Sequence, residues 1–160
     1  MLSKPAIVRG IITQLTTELQ NLANASRTMH ADASDEQNKA EDKYDTRGLE
    51  TAYLASAQAR QATETEQALA AYQQLALAKF SADSPIALTA LIELDSGGKR
   101  AFYFLGPKGG GLEIRHKGSD VLVITPESPL GQELMGRKVG DQIKLQTRGP
   151  GQKLRVVAVS

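Results

Sequence analysis

Ser128-Pro129-Leu130-Gly131-Gln132-Glu133-Leu134-Met135-Gly136-Arg137-Lys138-Val139-Gly140-Asp141-Gln142-Ile143 is the stretch from which the rest of the chain can be organised. A serine followed by proline is a helix start: the hydroxyl accepts from an unpaired backbone N–H of the first turn, and proline has no N–H to waste there. One short helix is therefore expected over 128–135, with Ser128 as N-cap and Pro129 at the first helical position. Gly136 closes it, and Gly140-Asp141 turns the chain into a strand beginning near Gln142.

Strands are expected on both sides of this helix. Upstream, residues 86–94 alternate partly, Asp95-Ser96-Gly97-Gly98 is turn chemistry, and residues 101–105 resume an apolar run, which together read as a hairpin. Residues 107–111, Pro-Lys-Gly-Gly-Gly, read as a loop, and Val121 to Ile124 as another strand. Downstream, residues 142–145 and 154–159 flank a turn at 147–151. Residues 84–160 thus predict a small α+β domain with a bent antiparallel sheet and one short helix.

Residues 1–83 have a different grammar. After Pro5 and Gly10 there is no glycine or proline until Gly48, and then none until Pro85. Ile7, Ile11, Leu15, Leu19 and Leu22 recur at helical spacing, and from Leu49 so do Ala52, Ser56, Ala59, Ala62, Glu66, Leu69, Tyr72 and Ala76. Two long helices pairing antiparallel as a coiled coil bury both stripes. Arms of about 30 residues would each extend roughly 45 Å.

Composition narrows the function. Aromatic residues are 4% of the chain with no tryptophan, which disfavours the stacking platforms that hold single-stranded nucleic acid. The absence of cysteine removes disulfides, thiolate metal sites and thiol nucleophiles, and it suits a cytoplasmic protein. No signal-peptide pattern opens the sequence and no apolar run is long enough to span a membrane, so no membrane partner is expected. Charge is divided: residues 1–83 carry 8 Lys+Arg against 11 Asp+Glu, and residues 84–160 carry 11 against 7. Such asymmetry can orient a molecule on a patterned partner.

The stretches Ser128-Pro129-Leu130-Gly131, Leu134-Met135-Gly136-Arg137 and Val139-Gly140-Asp141-Gln142-Ile143, set behind a long helical hairpin, resemble the C-terminal motif of the Gre transcription factors, GreA and GreB. The resemblance implies an FKBP-like C-terminal domain that grips RNA polymerase at its secondary channel, with Glu127, Ser128 and Pro129 in the docking segment. It also implies a coiled coil whose tip, near 38–50, enters that channel and comes into indirect contact with nascent RNA. Such a factor modulates elongation or initiation and is not itself an enzyme, because any RNA cleavage is done by the polymerase.

Gre factors that promote cleavage carry an Asp and a Glu three apart at the tip, then an Asn and a Tyr. Carboxylate oxygens there hold a Mg²⁺ shared with the polymerase active site. When Tyr53 is matched to that tyrosine without gaps, Thr46 and Leu49 fall on the acidic positions, and neither is a cation ligand. Gaps bring Asp45 and Glu50 into the two roles, and Asp42 with Asp45 is a third arrangement. Seven of the eleven acids of residues 1–83 lie between Asp32 and Glu50. The leading expectation is a regulator without cleavage activity. The alternatives are a true cleavage-stimulating factor and an FKBP-like isomerase or chaperone module.

Other candidates read more plainly. His30 and His116 have no ligand spacing around them, and the Lys108-Gly109-Gly110-Gly111 loop lacks the Lys-Ser/Thr ending of a nucleotide cradle. Arg100, Lys108, Arg115, Lys117, Arg137, Lys138, Lys144 and Arg148 form either a basic face for polymerase or nucleic acid, or an ordinary solvated surface.

Overall fold

The computed structural model describes residues 1–37, 46–146 and 149–160. They form two compact units, Met1–Ile12 with Ala71–Ser160, and Thr13–Ala70.

The helical unit holds most of helix α1 (Lys4–Gln37) and helix α2 (Thr46–Gln73), while residues 4–12 of α1 and 71–73 of α2 belong to the other unit. Within it Gln61 Nε2 donates to Glu18 Oε1 at 3.1 Å, and Thr65 Oγ1 lies 3.5 Å from the same oxygen while donating to the Gln61 carbonyl at 2.9 Å. Leu15, Thr65 and Ala68 are buried. The α1 stripe is buried or half-buried as its spacing implies, but the α2 stripe is so only in part. Ala62, Leu69 and Tyr72 turn inward as expected, whereas Ala52, Ser56, Ala59 and Glu66 are exposed and Thr51, Gln58, Thr65 and Ala68 take inward positions instead. In an alanine-rich helix nearly every face is equally apolar, so the partner's polar groups, here Glu18, select the seam.

The second unit holds a six-stranded sheet in the order β3-β4-β2-β1-β6-β5. Its strands are β1 (Leu91–Ser96), β2 (Lys99–Leu105), β3 (Glu113–His116), β4 (Ser119–Ile124), β5 (Gln142–Leu145) and β6 (Gln152–Val159), with helix α3 (Pro129–Leu134) between β4 and β5. The β1–β2 hairpin turns at Gly97 and Gly98, with φ of 60° and 91°, and Asp95 Oδ1 accepts from the Gly98 N–H at 2.8 Å. Two positive φ angles in succession are what a tight hairpin of matching twist requires.

The sheet is mixed, which corrects the antiparallel expectation: β4 pairs with β2 in parallel, Phe102 opposite Val121 through Leu105 opposite Ile124. β3, which the sequence reading passed over, pairs antiparallel with β4 and takes the edge. The compositions of the two strands explain why they are placed this way round. β4 carries the continuous apolar run Val-Leu-Val-Ile that a strand covered on both faces needs, whereas β3 reads Glu-Ile-Arg-His and tolerates an edge.

One face of the sheet holds the main core, including Ile92, Leu94, Leu105, Ile143, Leu154 and Val156 with Leu134 of α3. Toward the β3 end, the opposite face meets the start of α1. A Cβ on Gly10 would lie 2.7 Å from Ile114 Cγ2, so glycine there allows close approach. Ile7, Val8 and Ile11 are buried alongside.

α2 stops at Gln73, before the helical spacing of the sequence runs out at Ala76. Residues 74–80 are good helix formers, but tertiary bonds divert them. The buried Tyr72 hydroxyl donates to the Lys108 carbonyl at 2.6 Å, and the Ala78 N–H donates to Thr89 Oγ1 at 2.9 Å. Lys4 Nζ donates to the Ala78 carbonyl at 2.5 Å and stands 4.7 Å from the centre of the Phe80 ring. Burial lowers the Lys4 pKa and raises that of the Tyr72 phenol.

Candidate functional site

The segment leading into α3 is fixed by its own side chains. Ser128 caps the helix from an extended backbone, φ −65° and ψ 153°. Its hydroxyl donates to the Thr125 carbonyl at 2.6 Å and accepts from the Gly131 N–H at 3.1 Å. A Cβ on Gly131 would sit 1.9 Å from the Thr125 carbonyl oxygen, so only glycine lets the helix close on this turn. After the helix, the Gly136 N–H donates to the Ile86 carbonyl at 2.8 Å and the Ile86 N–H to the Arg137 carbonyl at 2.7 Å. Asp141 Oδ2 then accepts from the Lys138 N–H at 2.8 Å, closing the turn into β5.

This arrangement commits Ser128 internally and leaves its neighbours outside. Glu127 and Pro129 are exposed, and Gln132 Nε2 holds the Glu127 carbonyl at 3.1 Å. Met135, which the sequence reading did not single out, is 42% exposed at the end of α3. Its only sequence signal is an apolar residue directly after the helix, at the C-cap.

Of the tip acids, Asp42 and Asp45 lie outside the described residues. Glu50 is exposed near the start of α2, on a stretch where Leu49 is 63%, Tyr53 75% and Leu54 58% exposed. One exposed carboxylate supplies only a fraction of the six oxygens that Mg²⁺ requires. Among the described residues no three His, Asp or Glu side chains come together to hold a metal.

Residues 90–160 match the family model described as "Transcription elongation factor, GreA/GreB, C-term". The match covers every strand, the Ser128 cap and the Asp141 turn. This part of the chain is similar to the C-terminal domain of the GreA/GreB factors. Solved structures with similarity to it include the transcription factor Gfh1, 23% identical over 96% of this chain and 93% of that one, with a TM-score of 0.40. GreA factor homolog 1 of Thermus thermophilus is 21% identical over 96% and 94%, TM-score 0.39. A GreA/GreB factor from Nitrosomonas europaea is 18% identical over 60% and 78%, TM-score 0.38. No curated protein matches the sequence.

Within residues 90–160 the expected basic face is divided. Arg100 pairs with Glu93, and that hydrogen bond, with the charge behind it, raises the arginine's pKa. Arg115 pairs with Asp120 at 3.3 Å, Lys117 Nζ donates to the Met1 carbonyl at 3.1 Å, and Arg137 Nε donates to the Glu133 carbonyl at 3.2 Å. Arg148 lies outside the described residues. Lys108, Lys138 and Lys144 are exposed. His116 keeps a buried Nε2 with no hydrogen-bond partner. The Gly106–Gly111 loop holds no helix after it. It receives Tyr72 instead, since a Cβ on Gly106 would lie 2.0 Å from the Tyr72 hydroxyl oxygen. A cleft of about 420 Å³ opens among Leu2, Glu93, Phe102, Lys117, Ser119 and Ala158. No helix among the described residues is long and apolar enough to cross a membrane.

Proposed function

We propose that this chain is an accessory factor of RNA polymerase, docking through the GreA/GreB domain at Glu127, Pro129 and Met135 and acting through the helix-pair tip at Asp42, Asp45 and Glu50. The observation that carries the reading is the family-model match over 90–160, which includes the capped turn that presents Glu127 and Pro129. Because Ser128 spends its hydroxyl on Thr125 and Gly131, its part in docking is to hold its two neighbours in place. Binding at the secondary channel and modulation of elongation or initiation are the mode this reading adopts.

The factor is a regulator and does not stimulate cleavage. Thr46 and Leu49 stand where cleavage-promoting tips carry acids, and Leu49 is exposed as an apolar residue. Backtracked elongation complexes incubated with the protein are expected to bind it and keep their transcripts at full length. Shortened transcripts that revert in Asp45→Ala or Glu50→Ala proteins would instead make it a cleavage-stimulating factor with Mg²⁺ shared at the tip. Absence of any binding to core polymerase at modest salt would overturn both.

A further inference from the structure

β5 and β6 pair with Lys144 opposite Lys153 and Gln142 opposite Arg155. Side chains alternate along a strand, so these four share one face, while Ile143, Leu154 and Val156 on the other face are buried in the core. All four are exposed. Three cations therefore occupy one patch, about 5 Å apart across the strands and about 7 Å along them. Among the described residues none of these three side chains makes a hydrogen bond or ion pair. Of the nearest acids on this face, Glu93 pairs with Arg100. Asp95, opposite Arg155 in the register, accepts from the Gly98 N–H through Oδ1 and also acts on Arg100, so it offsets part of one of the three charges and leaves Lys144 and Lys153 facing each other.

Like charges placed directly opposite in an antiparallel pair destabilise it. Protection of the β5 edge against aggregation accounts for one lysine, since a single charge blunts an edge. It does not account for Lys153 and Arg155, because β6 is an inner strand between β1 and β5. Gly151 adds a further sign of placement: a Cβ there would lie 2.6 Å from Lys144 Cε, so glycine leaves room for the lysine stem.

We propose that this face, through Lys144, Lys153 and Arg155, binds the phosphate backbone of nucleic acid without reading its sequence. A covalent chain of phosphates presents anions at close spacing continuously. A protein partner would have to hold three carboxylates side by side against their own repulsion. None of the four exposed positions is aromatic, so bases have no stacking platform and the contact is electrostatic. This inference does not depend on polymerase docking, which uses the α3 segment.

The test is fluorescence anisotropy of the full chain with labelled single-stranded RNA and with a DNA duplex, as a function of salt. Three phosphate contacts predict a slope of log Kobs against log salt of about −2 for the single strand and about −2.7 for the duplex. Each of Lys144→Gln, Lys153→Gln and Arg155→Gln should shorten the single-strand slope by about 0.7, while Lys138→Gln leaves it unchanged. Far-UV circular dichroism confirms that the variants fold, as exposed positions allow. Binding that survives the triple glutamine variant overturns the proposal. So does the absence of oligonucleotide binding at low salt, or capture of polyglutamate in its place.

Discussion

The α3 turn and the α2 seam solve the same problem, fixing a helix against a neighbour, by opposite means. At the turn every position has one job: Ser128 caps, Gly131 admits the Thr125 carbonyl, Leu134 is fully buried, and Asp141 closes the exit. Along α2 in the helical unit the inward positions are Thr51, Gln58, Ala62, Thr65, Ala68 and Leu69, small or polar but for the last, and the Gln58 Oε1 is buried without a partner. The first region is specified residue by residue and the second by a shared slimness. A mutation at the turn should therefore remove a defined interaction, and one on the seam should be absorbed.

Leu134→Ala should have the largest effect, lowering stability by about 3 kcal/mol in chemical denaturation, because a fully buried leucine leaves a cavity beneath α3. Gly131→Ala should follow at about 2 kcal/mol, since its Cβ meets a backbone carbonyl that can move only with the turn. Ser128→Ala, which removes the cap, should cost about 1 kcal/mol and is read by the same denaturation curves. Thr65→Val lies at the other extreme. The isostere keeps the buried volume and discards a hydroxyl whose short bond is to Gln61 of its own helix and whose reach to Glu18 is long, at 3.5 Å, so the change should stay under about 1 kcal/mol. A seam substitution as costly as Leu134→Ala would break the comparison.

Tyr72 offers a pH-dependent version of the same contrast. Burial raises its phenol pKa, so the folded state keeps the proton to higher pH than the unfolded chain does. The stability this contributes is full below the unfolded value of about 10 and is lost as pH rises above it. Urea midpoints between pH 8 and 11 should fall at the alkaline end. Tyr72→Phe should flatten that fall while costing about 1 kcal/mol at neutral pH through the lost bond to Lys108.

The contrast also explains what was legible. The α3 cap, the Gly140-Asp141 turn and the Gly97-Gly98 hairpin were readable because single residue types dictate their geometry. The parallel β2–β4 pairing was not, because alternation shows that a strand exists but not which side of its hairpin lands inward. β3 was missed because only Ile114 of its four residues is buried. The end of α2 was misplaced because residues 74–80 favour a helix, and only the bonds from Tyr72, Lys4 and Thr89 keep the chain out of one. At the candidate site, Glu127 and Pro129 were found through the motif that Ser128 anchors. Met135 and the Lys144–Lys153 pairing need the helix end and strand register to be known.

The measurement that tests the account most directly is equilibrium binding of the intact chain to core RNA polymerase, compared with a Glu127→Ala, Pro129→Ala double variant whose changes are confined to exposed positions. The account predicts saturable binding that the folded double variant weakens at least tenfold. Absence of binding by the unmodified chain, or undiminished binding by the variant, would contradict docking through the α3 segment.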